Sequence, residues 1–283
     1  MFFVISGFIL PWSLHRANYT IGRYGRFIAK RIVRIDPPYL VTACAILLLN
    51  YASSRTPGFA GTQSFPGWAA VLGHIGFLNA FTGQPWLNPV FWTLAIEFQF
   101  YLLIGLVFPL TVSRSGITRW CLTVAFLAAP FLYRDGLFLA GQACLFLLGI
   151  ATFQYRAGLT ARPAFFALLA AATADIWYLA GGVTAAAGLL TALAIAFVPG
   201  DSRLVNSAPL VWLGTISYSL YLVHVPIGGR VVNLAHRLPQ SPLMQCLEAL
   251  VALGVSLAAA MLLYRLVEKP ARALASRIAW QRA

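Results

Sequence analysis

The stretch "RFIAKRIVRIDPPYL", Arg26 to Leu40, sets Arg26, Lys30, Arg31 and Arg34 against a proline pair, and a long apolar run follows at once. The chain around it is poor in charge: of 283 residues, 60% are hydrophobic and 10% charged. Its mean hydropathy is +0.79. A soluble chain of this size carries roughly 25% charged residues. There is too little charge here to cover a globular surface, so the composition describes a membrane protein. The net charge of +13 would point to nucleic acid in a soluble protein. In a membrane protein the placement of the charge explains it, and no nucleic acid is needed.

Apolar runs fall at roughly 1–14, 37–52, 91–111, 120–133, 137–155, 163–180, 184–199, 209–227 and 243–266. The backbone must satisfy its own hydrogen bonds in lipid, so only helices or closed barrels span it. These runs are too long for barrel strands of about 9–11 residues. The expected fold is therefore an all-α, polytopic helical bundle of about nine transmembrane segments in a single membrane domain, 1–283. The runs 163–180 and 184–199, parted by a Gly-rich turn, read as a tight helical hairpin. Met1–Leu14 lacks the basic region and cleavage site of a signal peptide.

Basic residues alternate between the connections. Residues 15–36 hold Arg16, Arg23, Arg26, Lys30, Arg31 and Arg34, and the end of the chain holds Arg265, Lys269, Arg272, Arg277 and Arg282. Taken over alternate sides, 16 basic residues stand on one side against 4 on the other, the minority being Arg55, Arg134, Arg230 and Arg237. Basic residues mark the cytoplasmic side. The expected topology puts residue 1 near the outer face and the C-terminus in the cytoplasm. Connection 53–90 is long, outward and nearly uncharged, with Trp68, Phe77 and Trp86, and reads as an interfacial or re-entrant segment.

Few residues are equipped for chemistry. Glu97 sits within the apolar "FWTLAIEFQFYLL"; an ionisable group at membrane depth is costly and marks a functional candidate, or else a hydrogen-bond partner for a neighbouring helix. His224, in "ISYSLYLVHVPI" before the helix-disturbing Pro226, can act as a general base or simply cap a helix end on a carbonyl. Ser6 and Gly7 of "SGF" are small enough for a helix or a ligand to approach closely. Arg31 and Arg34, three apart, share a face if helical and then form a phosphate fork; alone they could equally serve topology and lipid headgroups. The four cysteines, at 44, 121, 144 and 246, show no metal or redox spacing. No phosphate-binding glycine loop, dinucleotide fingerprint or HExxH stands in the sequence, and no metal is expected. A multi-pass transporter with broken helices at Pro130 and Pro226 is the non-enzymatic alternative.

Taken in order, "FFVISGFIL", "AKRIVRIDPPYL", "FWTLAIEFQFYLL", "TISYSLYLVHVPI" and "LVEKPAR" resemble the acyltransferase-3 family, integral-membrane O-acyltransferases of the O-antigen and exopolysaccharide acetylase type. The resemblance covers residues 2–272. It implies a ten-helix membrane domain of the bacterial inner membrane. It also implies transfer of an acyl group, usually acetyl, from cytoplasmic acyl-CoA to a hydroxyl of a glycan or lipid-linked sugar. Arg31 and Arg34 match the family's Arg-x-x-Arg motif on the donor side, where Ser6 and Gly7 of its Ser-Gly-Phe motif are also assigned. Glu97 matches the acid of Trp-Ser-Leu-x-x-Glu, with Thr93 replacing the serine, and His224 matches the late Tyr-Leu-x-His; these two are the catalytic candidates. In the expected topology Glu97 and His224 fall in the outer half, on the far side from the arginines, which suggests a path through the protein. The family begins with a further helix bearing an arginine and, eleven positions on, a favoured catalytic histidine. Met1 stands directly before "FFVISGF", so the expectation is an N-terminally shortened form: a mis-called start, a deletion or a degenerate, inactive member.

Overall fold

The computed structural model describes residues 1–55, 65–203, 205–239 and 241–278. Residues 56–64 of the expected 53–90 connection, and Arg282 of the charge count, lie outside them. Among the described residues every regular element is helical. The principal helices are α1 (Phe2–Arg16), α2 (Tyr24–Ser54), α3 (Trp68–Gly73), α4 (Asn79–Thr82), α5 (Phe91–Thr111), α6 (Gly116–Leu132) and α7 (Ala143–Arg156). They continue with α8 (Arg162–Ala180), α9 (Gly182–Phe197), α10 (Ala208–Val223), α11 (Gly229–Ala235), α12 (Pro242–Leu263) and α13 (Lys269–Ser276). Each of the nine apolar runs lands on a helix. Among the described residues five helical segments, Ile21–Ser54, Phe91–Thr111, Arg162–Ala180, Ala208–Ala235 and Pro242–Ser276, are long and apolar enough to cross a membrane, with shorter apolar helices at Gly116–Leu132 and Gly182–Phe197. Large apolar side chains such as Leu48, Leu132, Val183 and Leu250 stand exposed on their surfaces, which suits lipid rather than water.

One expectation changes. The basic stretch 15–36 reads as a connection, yet helix begins at Tyr24 and runs 31 residues to Ser54. Arg and Lys are good helix formers, so their charge hides a helix from any apolar-run argument. The helix passes straight through Pro37 and Pro38, whose missing N–H groups leave the carbonyls of Val33 and Arg34 without their usual donors. Side chains bond the neighbouring backbone: the Tyr218 hydroxyl donates to the Ile35 carbonyl at 2.8 Å and Thr42 Oγ1 to that of Pro38 at 2.8 Å.

The chain divides into two compact units. The first comprises Met1–Ile28 and Ile96–Ser202. Its centre is aromatic: Phe100 stacks on Phe146 with ring centres 4.1 Å apart, and the Tyr19 hydroxyl donates to the Gly105 carbonyl at 2.7 Å. The expected hairpin is present, α8 turning into α9 at Gly181 with φ +83°, a left-handed conformation that glycine adopts without a Cβ penalty.

The second unit comprises Ala29–Ala95 and the described residues from Arg203 on. Its centre is Tyr39, whose ring meets Phe77 at 4.7 Å and Phe91 at 4.5 Å. Two widened π-turns, His224–Gly228 and Tyr264–Glu268, carry α10 into α11 and α12 into α13. Pro226 thus bends its helix without ending it. The Leu222 carbonyl, which would bond the N–H that Pro226 lacks, accepts instead from Asn88 Nδ2 at 2.9 Å. At the second π-turn, buried Glu268 accepts from Ser219 Oγ at 2.6 Å and pairs with Arg272 at 3.6 Å.

Candidate active site

In the first unit, α1 and α5 bring two of the sequence candidates together. Ser6 is buried, and its Oγ donates to Glu97 Oε1 at 2.5 Å. A hydroxyl-to-carboxylate bond of this kind is charge-assisted and strong when the acid is ionised. Two residues on, Gln99 Oε1 accepts from the Leu139 N–H at 2.9 Å, while its Nε2 is buried without a hydrogen-bond partner. Gly7 has another task. A Cβ there would sit 2.3 Å from the Phe146 carbonyl oxygen, and one on Gly149 would sit 2.2 Å from that of Val4. The two glycines let α1 and α7 touch backbone to backbone, which gives Gly7 a structural reason in this helix contact.

In the second unit, His224 opens the first π-turn with its ring exposed. Its Nδ1 lies 2.9 Å from the Tyr221 carbonyl and 3.1 Å from that of Leu220. Carbonyls only accept, so in the neutral ring Nδ1 carries the proton and donates, leaving the Nε2 lone pair available. The ring lines an open hollow of about 580 Å³ with Ser217, Tyr221, Gly228 and Ser256. The Tyr221 and Thr93 hydroxyls meet beside it, each also 2.9 Å from the Val90 carbonyl. Thr93 therefore keeps the hydroxyl of the serine that it replaces in the family motif.

Arg31 and Arg34 lie on α2, three residues apart and so on one face, the first half-buried and the second exposed. The Tyr218–Ile35 bond fixes their height against α10. His224 is six residues beyond Tyr218, about 9 Å along a helix axis, while the arginines begin one residue below Ile35. Counted from that bond, the separation along the axes is about 10–15 Å. Between these heights two polar atoms of α2 are buried without partners, Asp36 Oδ1 and the Tyr39 hydroxyl. Buried polar atoms are nearly always paired in native proteins, so these mark a place where a ligand's polar atoms would fit. Tyr221, Asn88, Asp36 and Tyr39 escaped the sequence reading. Only the Asp in "RIDPPYL", an acid beside a cluster of cations, carried a signal that could have found one of them.

Comparison with known proteins agrees with this architecture. The model of the acyltransferase-3 family, described as "Acyltransferase domain", matches residues 1–265. The acyltransferase MdmB of Streptomyces mycarofaciens is 29% identical across 98% of this chain and 81% of its own length. The O-acetyltransferase OatA of Staphylococcus aureus is 24% identical across 80% of this chain, but the match spans only 45% of OatA. No solved structure matches the chain significantly. With the family matched over most of its length and its motifs carried on a membrane helical bundle, the chain belongs to the acyltransferase-3 family and is a membrane-embedded acyltransferase.

Proposed function

We propose that this protein moves an acyl group, acetyl in the simplest case, from cytoplasmic acyl-CoA to a hydroxyl of a glycan or lipid-linked sugar. It would do so as a multi-pass protein of a bacterial inner membrane with its C-terminus in the cytoplasm. The observation that carries the reading is His224, its Nδ1 tied to two carbonyls in a hollow wide enough for a substrate. The O-acetyltransferase name of one relative favours oxygen as the acceptor atom and acetyl as the group.

In this account Arg31 and Arg34 hold the phosphates of CoA, and the 10–15 Å rise to His224 is crossed by its extended pantetheine arm. His224 Nε2 takes the proton from the acceptor hydroxyl as that oxygen attacks the thioester carbonyl. The new C–O bond forms as the C–S bond breaks, and CoA leaves as a thiolate that is then protonated. Glu97, held by Ser6 within the first unit, is the second catalytic candidate, with a role in transfer rather than in donor binding. The test separates donor from acceptor. Arg31→Ala should weaken CoA binding to the purified chain by about tenfold, in line with the loss of charge-assisted contacts. Glu97→Gln should leave CoA binding unchanged and slow transfer. Equal loss of CoA binding in both variants would contradict the assignment.

A further inference from the structure

Arg230 is one of the few basic residues that the charge count leaves on the sparsely basic side, and the acyl-transfer account gives it no task. It follows the first π-turn, half-buried. Its Nη1 donates to the Pro226 carbonyl at 2.5 Å and its Nη2 to Asn50 Oδ1 at 2.5 Å. Among the described residues the ion pairs are His236 with Glu248 and Arg272 with Glu268, so Arg230 has no carboxylate counter-ion. A guanidinium has five N–H donors, and two neutral carbonyl-type acceptors leave donors over and the charge unmatched. A half-buried guanidinium with donors to spare and no carboxylate beside it is open to an anionic partner.

The surroundings say what kind of anion. Arg230 lines a hollow of about 280 Å³ with Asn50, Asn88 and Asn233. Against it lies a second hollow of about 230 Å³, lined by aliphatic side chains including Leu49, Ile227 and Leu262. Ile46 and Pro226 line both, so the polar chamber opens beside an apolar groove within one unit. An arginine suits the oxygens of a phosphate, and the amides beside it suit hydroxyls.

We propose that this pair of hollows is a binding site for a phosphate-bearing lipid, with the phosphate on Arg230, the hydroxyl-bearing head toward Asn233 and a hydrocarbon chain along the Ile46–Pro226 groove. The lipid is either a bulk phospholipid or a polyprenyl-phosphate carrier, since both present the same chemistry. Its binding needs no acyl donor, so the site stands or falls independently of the transfer reaction.

The test is equilibrium binding to the full chain purified in detergent. The probes are a short-chain phosphatidylglycerol, a polyprenyl monophosphate, the diacylglycerol matching the first, and inorganic phosphate. At least one phosphate lipid should bind saturably, about tenfold or more tighter than diacylglycerol or inorganic phosphate, as loss of charge-assisted bonds implies. The tighter of the two lipids names the source. Arg230→Gln should abolish that preference. Asn233→Asp should abolish it too, by placing an internal counter-ion one helical turn from Arg230. It leaves the folding contacts of Arg230 in place, so it decides the matter if Arg230→Gln does not fold. Phosphate-lipid binding that survives Asn233→Asp, or that diacylglycerol or inorganic phosphate equals, would overturn the proposal.

Discussion

Gly7 and Gly149 face each other across α1 and α7 with no room for a methyl group on either. Gly25 stands in open space on α2, where alanine is the better helix former. Gly7→Ala should therefore destabilise the protein by about 1–3 kcal/mol, whereas Gly25→Ala should be neutral or stabilising by up to about 1 kcal/mol. Thermal unfolding in detergent measures both; equal effects would remove the close crossing. At this scale Glu97 stands out in the sequence, because a carboxylate in an apolar run needs a reason, and the structure sets the Ser6 hydroxyl 2.5 Å from it. Gly7 stands in the same motif as Ser6, and in the structure it lets α1 and α7 meet closely. Tyr221 and Tyr39 were not legible, since tyrosines are common near membrane surfaces and only packing distinguishes the one beside Thr93 and the one with an unpaired hydroxyl.

At the scale of elements, apolar runs located helices well and helix ends poorly. Run 91–111 coincides with α5, yet α2 begins well inside a stretch whose charge reads as loop. The π-turns left no trace in the sequence beyond Pro226, because they depend on which carbonyls lose donors and what replaces them. The short helices α3 and α4 are anchored by His74, which is buried. Its Nδ1 donates to the Ala70 carbonyl at 2.7 Å and its Nε2 accepts from the Leu87 N–H at 3.2 Å. Both nitrogens serve the neutral ring, and burial pushes the imidazole below its ordinary value. The folded state thus resists a proton that the unfolded chain accepts near pH 6.5, so His74 favours folding above that pH and progressively opposes it as pH falls toward the lowered value. The melting temperature should drop more between pH 7.5 and pH 5.5 in the native protein than in His74→Gln. Parallel curves would show that His74 does not titrate with unfolding.

At the scale of the whole molecule, composition and alternating charge were sufficient to read a polytopic all-α membrane protein, and the order of five short motifs was sufficient to read the family. What they could not give is height. The expected separation of donor and acceptor groups came from counting residues to the ends of spans. Counted from the Tyr218–Ile35 bond, the rise from the arginines to His224 is about 10–15 Å along the helix axes. In the proposed reaction that rise lies within the reach of a single donor molecule. The most direct test is transfer of labelled acetyl from acetyl-CoA by membrane vesicles containing the native protein or His224→Gln. The account predicts CoA release and label in a membrane-bound or glycan product with the native protein. It predicts a loss of about a hundredfold or more with His224→Gln, the scale of a missing general base, with CoA binding retained. Full transfer by the His224→Gln protein would contradict it.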